Sequence, residues 1–122
     1  MTISGTKLVG VTYKTPGIVQ QSLSMWLDAG HPNSYSGSGT TWTDLTGNGN
    51  NQTLVGAPTF TSGTPSYFSF DGFSQYATGS TPYILPPSYY TKMVWFQIDG
   101  GGDNNLVSSY TGGHFMYFSG TS

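Results

Sequence analysis

The chain has no cysteine, no arginine and no glutamate, and only three lysines. Each absence removes a class of function. Without cysteine there is no disulfide framework and no thiolate metal site, and the redox compartment is left unmarked. Three lysines against five aspartates, a net charge of −2, cannot neutralise a run of phosphates, so nucleic acid is not an expected partner. No apolar run approaches the roughly 18 residues that suggest a membrane span. The opening Met1-Thr2-Ile3-Ser4-Gly5-Thr6-Lys7 has no basic-then-apolar order, so a secretory signal is not expected. Delivery outside a cell would then come by lysis or inside a particle.

Charged residues make up 7% of the 122, against about 25% in an average soluble domain. Low charge with 18 glycines would suit disorder, but nine tyrosines, seven phenylalanines and three tryptophans supply enough apolar area for a core. Solubility then falls to hydroxyls and amides. The length suits one domain.

Helical periodicity is nearly absent, and short runs bounded by turn residues recur instead. Strands are expected over 8–13, 23–28, 53–55, 67–71, 75–78, 92–99, 105–110 and 114–119. The run from Lys92 to Asp99 is apolar on both faces, which predicts a central strand. Trp26 and Trp95 are expected to be buried, with Trp42 a core plug pinning the long polar loop over 30–52. Many short strands at this spacing predict an all-β chain folded as an antiparallel β-sandwich or barrel. The Pro16-Gly17 break sets residues 1–20 apart as an N-terminal arm or first strand, leaving 21–122 for the sandwich.

One stretch is more specific than composition. Leu27-Asp28-Ala29, Tyr35, Gly39-Thr40-Thr41-Trp42-Thr43-Asp44-Leu45, Gly47-Asn48-Gly49-Asn50-Asn51, Leu54, Pro58 and Phe70-Asp71-Gly72 follow one another in a fixed order. That succession resembles the start of a concanavalin A-like (laminin G-like) jelly-roll domain, in the wording used by structural proteins of tailed bacteriophages of aquatic hosts, cyanophages among them. The resemblance runs over about residues 20–119, and Lys92-Met93-Val94-Trp95-Phe96 sits where the family places a central strand. It implies a jelly roll, a virion location and docking to other virion proteins, with self-assembly, a trimer for instance, as one form. Two departures stand out. Phe73-Ser74-Gln75-Tyr76 occupies the place where family members often carry paired acids. The chain also stops before the family's last strands, as a trimmed version or as the N-terminal piece of something longer. A sandwich short of strands has an open edge for a partner to cover.

Catalysis finds little to work with. The glycanases of this fold use paired glutamates, and there are none. There is no Gly-x-Ser-x-Gly elbow, and neither Gly47-x-Gly49 nor Gly100-Gly101-Gly102 opens a helix after a strand. A non-enzymatic protein without a cofactor is expected. Calcium is the metal to weigh, because Asp44, Asn48 and Asn50 put a carboxylate and amides on a tightly wrapping backbone; the same Asn-Gly pattern also reads as a plain turn. Glycans stack on exposed aromatic faces, which makes Tyr35, Tyr76, Tyr83, Tyr89 and Tyr90 candidates for binding a host surface polysaccharide. The stretch Pro82-Tyr83-Ile84-Leu85-Pro86-Pro87 is apolar and proline-stiffened, a candidate docking patch.

Overall fold

The computed structural model describes residues 21–79, 90–99, 104–108 and 116–118. Among these there is no helix. Seven short strands form three antiparallel sheets: β1 (Thr41–Trp42), β2 (Gln52–Val55), β3 (Thr59–Thr61), β4 (Tyr67–Ser69), β5 (Tyr76–Gly79), β6 (Asn104–Val107) and β7 (Met116–Phe118). The first sheet has the order β1-β2-β5, β3 pairs with β4, and β6 pairs with β7 across an irregular register between Asn105 and Val107. Among the described residues the chain is thus strand-rich and antiparallel; β2 and β5 are about as long as expected, and β4 is shorter.

In the first sheet Trp42 lies opposite Gln52, and Leu54 opposite Ala77. Side chains alternate along a strand, so Trp42, Gln52, Leu54 and Ala77 share a face. Leu54 is buried on it. In the second sheet Phe60 pairs with Phe68. Phe68 then meets Trp42 edge-on at 4.9 Å between ring centroids and Tyr35 at 4.8 Å, and Tyr35 meets Phe60 at 4.9 Å. These tilted, edge-to-face contacts suit the ring quadrupoles and join the two sheets through one aromatic cluster. The indole N–H of Trp42 is enclosed there without an acceptor, a desolvation cost that the ring contacts offset.

Two expected strands are absent. Residues 23–28 join no ladder; the side chains of a distant turn hold them instead, as described below. Residues 92–99 also form no strand. The central place they were expected to fill is taken by β2, which has β1 on one side and β5 on the other. Conversely, Thr41–Trp42 and Thr59–Thr61 are strands that hydrophobic alternation does not announce. Trp26 and Trp42 are half-buried, whereas Trp95 is exposed. The expected strand over 8–13 and the arm over 1–20 lie outside the described residues.

The link from β2 to β3 turns at Gly56 and Ala57, both with positive φ (75° and 54°). A Cβ on Gly56 would sit 2.7 Å from the Ser74 carbonyl oxygen and 3.1 Å from Cγ of Gln75. The Gln75 amide donates to the carbonyls of Gly56 and Ala57 at 3.1 and 3.3 Å, which pins this turn to the one before β5. Gly56→Ala meets both a left-handed backbone and a backbone collision, and it is expected to cost about 2 kcal/mol or more in a urea titration.

Candidate functional site

The longest polar loop is organised around one carboxylate. Asp44 is only 5% exposed. Its Oδ1 accepts from the backbone N–H of Trp26 (2.9 Å) and of Thr46 (3.0 Å), and its Oδ2 from the backbone N–H of Asn50 (3.1 Å). The Thr46 hydroxyl reaches both oxygens at 2.8 Å. The Asp44 N–H in turn donates to Oδ1 of Asn51 at 2.9 Å. Burial pushes the carboxyl pKa up, but the N–H groups of Trp26, Thr46 and Asn50 and the Thr46 hydroxyl outweigh it, so the group lies below the usual aspartate range.

The asparagines extend this grip to the segment before it. Asn48 Nδ2 donates to the carbonyls of Leu23 (3.0 Å) and Ser24 (3.2 Å), and Asn50 Nδ2 to that of Ser24 (2.7 Å). Leu45 N–H donates to the Trp26 carbonyl at 2.8 Å. Residues 44–51 are thus a staple that supplies the backbone partners a neighbouring strand would otherwise give to 23–26. Asp44, Asn48 and Asn50, the calcium candidates, are brought together here. However, the carboxylate already faces N–H and O–H donors, and both asparagines turn their amide nitrogens onto carbonyls. A calcium ion needs six to eight converging oxygens. No group of three or more His, Asp or Glu gathers among the described residues.

A second buried anchor flanks the staple. Ser34 accepts from the Asp28 N–H (3.1 Å) and donates to the Thr43 carbonyl (2.6 Å). Asp71 organises the turn before β5: its Oδ1 accepts from the N–H groups of Phe73, Ser74 and Gln75, each at 2.9 Å, and Oδ2 from the Ser74 hydroxyl at 2.7 Å. The Phe73 N–H leads the groups that hold this carboxyl well below the usual range.

The tyrosines part company. Tyr35 is 8% exposed, its ring lies between Phe60 and Phe68, and its hydroxyl donates to the Gly39 carbonyl at 3.0 Å. It is a core residue, and its enclosed face is not open for stacking on a sugar, a correction to the sequence expectation. Tyr76, on β5, is 53% exposed. Tyr90 is exposed, with the Lys92 ammonium 5.7 Å from its ring centroid, inside cation–π range. Tyr83, Tyr89 and the stretch Pro82, Ile84, Leu85, Pro86 and Pro87 lie outside the described residues.

What sequence reasoning missed is the presentation of 92–98. Met93 is 77% exposed, Trp95 91%, and Phe96 is exposed beside them. A run apolar on both faces reads equally as a strand buried on two sides or as apolar side chains turned to solvent, so the sequence held the residues but not their direction. A polar hollow of about 220 Å³ lies elsewhere, lined by Ser36, Ser38, Thr40, Thr41 and Thr43 among others.

No protein-family model, curated protein or solved structure matches this chain.

Proposed function

We infer that this chain is a non-enzymatic structural protein of a phage virion, in a capsid-decorating or a tail or fibre position, and that it works by docking onto other virion proteins, copies of itself first among them. The observation that carries the docking is the exposed set Met93, Trp95 and Phe96. Aromatics and methionine are enriched at protein interfaces and charge is depleted at their cores; Met93 to Ile98 carries no charge, with Lys92 and Asp99 at its ends. The virion setting is supported by the ordered resemblance of residues 27–72, and the jelly-roll assignment by the same residues together with the antiparallel all-β architecture.

Size-exclusion chromatography with light scattering on the purified chain tests this reading. An assembly larger than a monomer is expected. Trp95→Ser is expected to weaken it about thirty-fold, the loss of roughly 2 kcal/mol typical of an interfacial hot spot. A chain that is monomeric at every concentration, with or without that substitution, would contradict self-docking. Chelator is expected to leave the elution unchanged, because Asp44 already has its partners within the chain.

A second reading, a glycan-binding module that attaches the particle to host surface polysaccharide, is favoured by the open ring of Tyr76 and by the hydroxyl-lined hollow beside β1. If it holds, Tyr76→Ala abolishes retention on host polysaccharide while the oligomeric state stays unchanged.

A further inference from the structure

The Asn48-Gly49 pair combines a labile chemistry with a structural duty. Asn48 is exposed, and Gly49 has φ +79° with no non-neighbouring atom within 4 Å of where a Cβ would stand. Gly49 therefore puts no side chain beside its own backbone nitrogen, the atom that attacks. Meanwhile the Asn48 amide nitrogen holds the Leu23 carbonyl and shares that of Ser24 with Asn50.

We propose that Asn48 is a spontaneous deamidation site whose conversion permanently removes the staple's hold on the Leu23 carbonyl and one of its two bonds to Ser24, and so loosens residues 23–26. The Gly49 nitrogen attacks Asn48 Cγ, forming an N–Cγ bond. The Cγ–Nδ2 bond breaks, and the displaced nitrogen takes up the Gly49 proton and leaves as ammonia. Water then opens the five-membered imide at either carbonyl, giving aspartate or isoaspartate. The sum is amide plus water to acid plus ammonia, with no redox partner. The hydrogen bonds to Leu23 and Ser24 restrain the amide, so it reacts when the loop opens. The product cannot close again as before, because a carboxylate has no proton to offer two carbonyl oxygens and carries a charge toward them.

Other asparagines lack this combination. Asn33 and Asn50 are followed by Ser34 and Asn51, whose side chains crowd the attacking nitrogen. Asn50 is also half-buried, with its side-chain amide tied to the Ser24 carbonyl at 2.7 Å.

The test is to hold the native protein and a urea-unfolded sample in mildly alkaline buffer and to map the converted peptides over time. Asn48 is expected to convert before every other asparagine, faster in the unfolded sample. Hydrogen exchange on the converted native protein is expected to show lost protection at the Trp26 and Leu45 amides. Asn48→Asp should show the same loss without ageing. Asn48→Gln, which retains an amide but closes to an imide far more slowly, should block the conversion. The proposal is overturned if another asparagine converts first, or if the converted protein keeps the parent's protection at Trp26 and Leu45. Both decisive readouts use the unmutated chain, so they survive the failure of either variant to fold.

Discussion

Phe68→Ala is expected to lower the stability of this protein by about 3 kcal/mol, the lower end of what a core phenylalanine truncation costs because the ring is half-buried. The size of the effect follows from position. Phe68 sits on β4 but contacts Trp42 of β1, Phe60 of β3, and Tyr35 of the loop that precedes them, at centroid distances of 4.8 to 5.4 Å. Its removal opens the joint between two sheets as well as a cavity in one. Small domains hold only about 5–15 kcal/mol in all, so the loss is a large share. Phe70→Ala serves as the comparison. That ring is exposed and stands 6.2 Å from Phe68, and its loss is expected to cost about 1 kcal/mol or less. Urea titrations of the two variants give the difference directly. Equal midpoints would mean that the aromatic cluster does not join the sheets.

Asp44→Ala is the second large effect, expected at about 3 kcal/mol. The carboxylate serves the N–H groups of Trp26, Thr46 and Asn50, and alanine leaves these donors facing each other in a part-buried loop. Asp44→Asn keeps the shape but turns an NH2 toward at least one of them, so it recovers only part of the loss. The same bonds set the acid response. The folded-state pKa of Asp44 is lowered, as is that of Asp71. Their contribution is therefore present above the ordinary aspartate value of about 3.9 and is lost as pH falls below it toward the folded-state values. Stability measured by urea midpoint is expected to decline on acidification below about pH 4, and Asp44→Asn is expected to flatten part of that decline. A parent whose midpoint is constant through this range would show that neither carboxylate is held as described.

Much of the fold was legible, and the misses share a cause. The runs at 53–55, 67–71 and 75–78 announced β2, β4 and β5 because alternation and bounding turns coincide there. The turn within Asp44 to Asn51 is legible because an Asp side chain accepts from a backbone N–H two residues on, as Asp44 does from Thr46. Its service to residues 23–26 did not read at all. It depends on contacts between positions 24 to 26 apart, for which local pattern carries no signal. Thr41–Trp42 and Thr59–Thr61 were missed because two or three residues are too few to show a period. The largest miss, 92–99, came from taking an apolar run as evidence of burial, when the central place of the sheet went to Gln52–Val55. Tyr35 lies in a polar loop, which suggests an open ring; the ring is buried because the loop folds back over Phe60 and Phe68.

Met93, Trp95 and Phe96 are proposed to form a docking face. Oxidative footprinting of these side chains, in dilute and in concentrated protein, addresses it directly. Strong labelling of Met93 and Trp95 is expected in the dilute chain, in keeping with their exposure, with protection of these positions on assembly while the still more open Phe73 stays labelled. Labelling of Met93 and Trp95 that is unchanged between the two states, in a sample shown by light scattering to have assembled, would contradict it.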